Sequence, residues 1–140
     1  MRPERFLLDT HIAVYALANP RELDRVVAGL LDDYADNCYV STVSMREIIH
    51  LQKRGKIKSC GKKPEDIIFA CEAAGFHFLP VNREHLRAYA NLTTHPDHND
   101  PNDHIIIAQA VVERMTLISS DSKFDFYTRQ KLRLLFNRRG

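Results

Sequence analysis

No stretch of about 18 uncharged apolar residues occurs in this chain, which excludes a membrane-spanning helix. The first residues carry Glu4 and Asp9 where a secretory signal would place an apolar core, so a cytoplasmic protein with no membrane partner is expected. Cysteine is scarce as well. Cys38, Cys60 and Cys71 form no C-x-x-C pair and are odd in number, which reads as reduced thiols, two packed and one in a loop. No glycine-rich phosphate loop exists, and there is no internal repeat, low-complexity tract or linker. A net charge of +2 excludes little by itself; the distribution of charge is more informative.

The 140 residues fit one domain, 1–140, with an apolar fraction of 44% that is ordinary for a globular protein. Such a chain buries roughly two thirds of its unfolded surface. Phe6–Leu8 reads as a buried first strand, followed by a helix over Ile12–Ala18 that stops before Pro20. Apolar residues at Leu23, Val26, Val27, Leu30, Leu31 and Tyr34 predict one helix over Arg21–Asp36. Cys38–Thr42 predicts a second strand, and Ser44 opens a helix to about Arg54. A basic loop runs from Gly55 to Lys63. Pro64 begins a further helix that Gly75 ends, Phe76–Val81 makes a third strand, and Asn82 caps the next helix. After a polar loop (Thr93–Asn99), Ile105–Val112 is apolar on nearly every side and is expected at the centre of the fold. Met115–Ser119 is the fourth strand and Leu132–Phe136 a short fifth. Strands alternating with helices predict an α/β fold with a mainly parallel sheet.

Asp9, Glu47, Asp100, Asp103 and Asp121 each follow or flank a short apolar run, where a strand hands over to a helix. Ligands of open α/β sheets bind at those strand ends. Capping accounts for each acid singly: Asp9 and Asp100 as N-caps, Ser44-x-x-Glu47 as a capping box, Asp103 as the partner of a helix dipole, Asp121 as a turn cap. Capping does not require acids at all of them, since Ser, Thr or Asn would serve. Carboxylates converging on one pocket repel unless a cation lies between them. That pattern suits a hard divalent ion and metal-assisted phosphoryl chemistry.

The segments Leu7-Leu8-Asp9-Thr10-His11, Val40–Ile48, His98–Ala110 and Leu117–Asp121 resemble, in order, those of PIN-domain nucleases, in particular VapC-like toxins of type II toxin–antitoxin pairs. The third segment carries most of the likeness, with Asp103 before an apolar-Ile-Ala run and Asp100-Pro101 ahead of it. The resemblance implies a three-layer α/β/α fold whose third strand lies at one edge and whose first strand lies beside the fourth. It implies that Asp9, Glu47, Asp103 and Asp121 are the catalytic, metal-binding acids, with Asp100 a further ligand, direct or through water, and that Thr10 and Ser44 line the pocket. It further implies Mg²⁺ or Mn²⁺ as cofactor, RNA as substrate, a homodimer and a cognate antitoxin. Two positions depart from the family's pattern, Arg46 where many relatives have an aromatic residue and Asn102 where they have a hydrophobic one.

The remaining charged groups admit several roles. His95, His98 and His104 bracket the acidic loop without the helical spacing of a zinc pair, and read as structural or solvent-facing. His11 reads as partly buried and hydrogen-bonded, with phosphate contact as the alternative. Arg46, Lys53, Arg54, Lys56 and Lys58 make a basic run, either a solvated face or a track for an RNA backbone, and Arg129 to Arg139 hold a second cluster. An aspartyl-phosphate phosphatase would need a second Asp where His11 stands, and for a receiver-type phosphoacceptor Lys123 follows Asp121 too closely. A silent PIN-like interaction module remains the rival from another class, and it should have lost at least one acid.

Overall fold

The computed structural model describes residues 3–57 and 61–138. Lys58, Cys60 and Arg139 lie outside them. The strands are β1 (Phe6–Leu8), β2 (Cys38–Ser41), β3 (His77–Leu79), β4 (Thr116–Ser119) and β5 (Arg133–Phe136). The α-helices are α1 (Thr10–Ala18), α2 (Arg25–Asp33), α3 (Thr42–Lys53), α4 (Asp66–Ala73), α5 (Arg83–Asn91) and α6 (Pro101–Glu113). Shorter 3₁₀ turns occupy Pro20–Glu22 and Ala35–Asn37, and a longer 3₁₀ stretch spans Ser122–Gln130.

The strands form one sheet in the order β3-β2-β1-β4-β5, every pair parallel. As expected, the third strand is at an edge and the first lies beside the fourth. Strand order reverses at β1, so the switch point lies between β1 and β4. Leu8 is in register with both Val40 and Ile118, which brings the ends of β1, β2 and β4 level.

Successive side chains of β1 serve opposite faces. Phe6 and Leu8 join Ile12, Val27, Val40, Ile48 and Ile67 in one core, while Leu7 joins Ile106, Ile107, Leu117, Phe124 and Tyr127 in the other. With helices over both faces the sheet is the middle of three layers, and its central strands are buried throughout. Ile106–Ala110 are buried, as expected of α6, although Val112 near its end is exposed. Gly75 ends α4 with a φ of 92°, which a side chain would rarely adopt, and fits its expected role. Cys38 and Cys71 are both buried, and burial pushes the Cys38 thiol up to about 12.

Several boundaries differ from expectation. The helix predicted over Arg21–Asp36 is broken, because Pro20 starts a 3₁₀ turn and Asp24 recaps the chain, its Oδ1 accepting the Val27 amide at 2.8 Å. Asn137 Oδ1 holds the Asp24 amide at 2.7 Å, so a distant segment sets this break. Helix α3 starts at Thr42, capped by Ser41 rather than opened by Ser44, so the Ser44–Glu47 capping box does not form. Helix α4 begins at Asp66, two residues after Pro64. Strand β3 shortens to His77–Leu79, since it is an edge and Pro80 donates no hydrogen bond.

Candidate functional site

Asp9 is the last residue on the β1 line before α1. Its amide donates to Ile118 O at 3.1 Å, which extends the β1–β4 ladder, and its Oδ1 caps α1 by accepting the Ile12 amide at 2.8 Å. On the neighbouring strand end, Ser119 Oγ accepts the Asp121 amide at 3.0 Å, and Asp121 Oδ1 accepts the Lys123 amide at 2.9 Å. Asp100 caps α6, its Oδ1 accepting the Asn102 amide at 2.9 Å, and Asp103 sits in the first turn of that helix. Glu47 lies further along α3, half-buried.

All five acids line one cavity of about 450 Å³ at the carboxyl edge of the sheet, together with Thr10, His11, His98 and Lys123. Sequence positions 9 and 121 therefore meet through adjacent strands, and 47, 100 and 103 through helices packed beside them. Capping and convergence coexist: the caps of Asp9, Asp100 and Asp121 each engage one oxygen of a carboxylate that has two.

This concentration of negative charge has an electrostatic consequence. Burial pushes the Asp9 carboxyl above its usual range; hydrogen bonds from Ser119 and the Ile12 amide oppose the rise, and the charge of Asp121 adds to it. Burial likewise raises Asp103 from 3.8 to about 6, opposed by its hydrogen bond with His98 and reinforced by Asp100 and Asp9. Burial, then Glu22 and Asp9, raises the Tyr15 phenol at the cavity wall. A cation placed among these groups would relieve both desolvation and repulsion.

Oxygen predominates in the donor set, which fits a hard divalent ion rather than zinc or copper. Among the described residues no three His, Cys, Asp or Glu side chains are already drawn tightly around a common point.

The chain matches the PIN domain family model over residues 6–129. It belongs to the PIN domain family. Comparison with curated proteins found no match. Among solved structures, VapBC2 from Rickettsia felis bound to a promoter DNA fragment is 19% identical with a TM-score of 0.66, covering 94% of this chain and 98% of that one. FitAcB from Neisseria gonorrhoeae is 23% identical at a TM-score of 0.66, covering 94% and 96%. DNA-bound VapBC from Salmonella typhimurium is 14% identical at 0.70, covering 96% and 98%. At these identities the likeness is one of fold.

Other expected residues of this PIN domain are distributed around the acids. Thr10 lines the cavity, whereas Ser44 is buried behind it, its Oγ accepting from Thr10 Oγ1 at 3.0 Å. Arg46 is exposed and its Nη2 reaches Asn102 Oδ1 at 3.4 Å, so the two positions that depart from the family pattern touch each other. Lys53, Arg54 and Lys56 are exposed but outside the cavity wall, at the far end of α3. His11 is exposed at the cavity, not partly buried.

The histidines of the acidic loop do not assemble a zinc site: His95 Nδ1 accepts the Asp97 amide, and His104 Nε2 donates to the His98 carbonyl. Sequence reasoning missed His98 as part of the cavity, because a loop has no periodicity to expose a buried residue. It also missed Phe124 and Tyr127, whose spacing of three on the Ser122–Gln130 stretch was the available signal, and Ser119 and Lys123, which flank Asp121.

Proposed function

We propose that this PIN domain is a Mg²⁺- or Mn²⁺-dependent endoribonuclease and the toxin half of a toxin–antitoxin pair. The observation that carries the reading is the convergence of Asp9, Glu47, Asp100, Asp103 and Asp121 on one cavity. Their mutual repulsion has no structural use without a cation. Asp9, Glu47, Asp103 and Asp121 would hold the metal, with Asp100 contributing directly or through water. When bound, a divalent ion there lowers the pKa of a coordinated water and offsets charge developing on a phosphate.

The chain's own residues prepare that chemistry. The Ile12 and Lys123 amides each hold one carboxylate oxygen of Asp9 and Asp121 just beyond the ends of β1 and β4. Thr10 Oγ1 donates its hydrogen to Ser44, which leaves it an acceptor at the cavity wall for a water proton. Lys123 brings a positive charge to the same wall, suited to a phosphate oxygen. A phosphodiester is thus the class of bond the site is suited to hydrolyse. RNA as the strand cut follows from the likeness to VapC-type toxins, as do a homodimer and an antitoxin that covers the site.

The test is cleavage of a mixed RNA pool in EDTA and after restoring each ion, using protein freed of contaminating nuclease and an Asp9→Asn control. Activity should vanish in EDTA, return with Mg²⁺ or Mn²⁺, and be absent from the control. Undiminished cutting in EDTA would remove the metal mechanism. A silent PIN module, the rival reading, would cut under none of these conditions.

A further inference from the structure

His98 stands in a polar loop, yet it is only 3% exposed and both ring nitrogens are engaged. Nδ1 faces the Tyr127 hydroxyl at 2.9 Å, and Nε2 faces Asp103 Oδ2 at 3.0 Å. For a neutral ring, counting protons assigns the tautomer. The Tyr127 oxygen accepts the His95 amide at 3.2 Å, and its single hydrogen must go to an acceptor, which His98 Nδ1 supplies. Nε2 then carries the ring hydrogen and donates it to Asp103. An ionised carboxylate can only accept, so the far end of the chain gives the same answer.

The ring is held from several directions. The His98 carbonyl accepts from His104 Nε2 at 2.7 Å, and the rings of His104, Phe124 and Tyr127 pack edge-on against His98 at 4.8, 5.4 and 5.4 Å. A residue needed only to fill this space would not require a nitrogen on each side. The bond also occupies one Asp103 oxygen and leaves Oδ1 without a partner among the described residues.

We propose that His98, fixed by Tyr127, is a positioning residue that locks the Asp103 carboxylate by its Nε2 hydrogen, so that Oδ1 is presented to the bound ion. This rests on Asp103 being a metal ligand, as proposed above. Carboxylates that bind metals are themselves held by outer hydrogen bonds, and loss of such a partner costs about 10- to 100-fold in metal affinity or activity.

The experiment measures Mn²⁺ binding directly, from the electron paramagnetic resonance signal of free Mn²⁺, on parent, Tyr127→Phe, His98→Gln and His98→Leu proteins. Circular dichroism melts establish that each is folded at the assay temperature, and cleavage is followed against Mn²⁺ concentration. Tyr127→Phe leaves His98 and every carboxylate in place but removes the hydroxyl that anchors the ring through Nδ1. It and His98→Leu should weaken Mn²⁺ binding about 10- to 100-fold. Cleavage by these variants should recover toward the parent rate at saturating Mn²⁺. His98→Gln, which keeps an N–H near the Nε2 position, should retain most of the parent affinity.

Folded Tyr127→Phe and His98→Leu proteins that bind Mn²⁺ within twofold of the parent would overturn the assignment, whatever their melting temperatures. If His98→Leu does not fold, the conservative Tyr127→Phe decides alone. A parent that binds no Mn²⁺ refutes the metal reading of Asp103 and this role with it, an outcome separate from normal parental binding with unaffected variants.

Discussion

Asp103 holds a carboxylate in a place that resists ionisation, with burial as the main cause and the charges of Asp100 and Asp9 adding to it. Replacement by asparagine keeps the shape and much of the hydrogen bonding while removing the charge. The folded carboxyl is raised from 3.8 to about 6. Its stability contribution is therefore complete below pH 4 and is lost as pH rises through about 6. By pH 7 the metal-free parent has given up as much as about 3 kcal/mol at this one group. Asp103→Asn has no such loss. Without metal it should be more stable than the parent by about 1–3 kcal/mol at pH 7, or roughly 3 °C in Tm per kcal/mol for a domain of this size. The difference should close below pH 4. With Mg²⁺ the order should reverse, because the parent gains stability from the ion and the variant gains little. Cleavage should fall on the order of a hundredfold or more, since a lost ligand should cost at least as much as a lost outer-sphere partner. Thermal melts from pH 4 to 7, with and without Mg²⁺, are read beside RNA cleavage. Were Asp103 only a complement to the α6 dipole, the variant would lose about 0.3–1 kcal/mol and keep its activity. A less stable variant cutting at near-parent rate would refute the reasoning.

Magnesium at a hundred times its Kd should stabilise the folded parent by about 2.7 kcal/mol, and EDTA should reverse this; calorimetric melts that coincide with and without the ion would contradict a metal site. Replacing Lys53, Arg54 and Lys56 together with serine should lower the slope of log affinity against log salt for single-stranded RNA by up to about 2, and an unchanged slope would assign these residues to another role. Ile107→Ala should cost about 2–5 kcal/mol in urea unfolding, because Ile107 is fully buried against β1 and β4 and anchors the helix that carries Asp103; a loss under about 1 kcal/mol would show that α6 is held otherwise.

Strand and helix identities were legible because buried apolar runs such as Phe6–Leu8 and Leu117–Ile118 are short and are followed within three residues by the polar caps Asp9 and Asp121. Boundaries were less so, and each miss has a tertiary cause. The Leu23–Tyr34 stripe has helical periodicity throughout, but Asn137 intercepts the Asp24 amide and starts α2 there. Ser44 matched a capping signature that Ser41 fulfilled three residues earlier, because β2 ends at Ser41. Neither contact can be seen in a local window. The Ser122–Gln130 stretch announced itself only by the spacing of three between Phe124 and Tyr127, the residues it supplies to the second core.

The acids could be found in the sequence for the same reason that they also look like caps. A helix N-terminus and a metal both attract a carboxylate, and where α1 and α6 begin beside the ends of β1 and β4, one residue can serve both. The geometry adds what the sequence could not, the convergence of several caps on one cavity. A cap requires one oxygen near one amide, as Asp24 provides for Val27 well away from the cavity. Asp9, Asp100 and Asp121 meet the same requirement but also share one cavity, where burial and mutual repulsion raise Asp9 and Asp103. Asp103 is the clearest case, since among the described residues its side chain makes no capping hydrogen bond. Its carboxylate instead meets His98 Nε2 at 3.0 Å inside the shared cavity, while its place in the first turn of α6 also complements the helix dipole, and the Asp103→Asn melts separate the two roles.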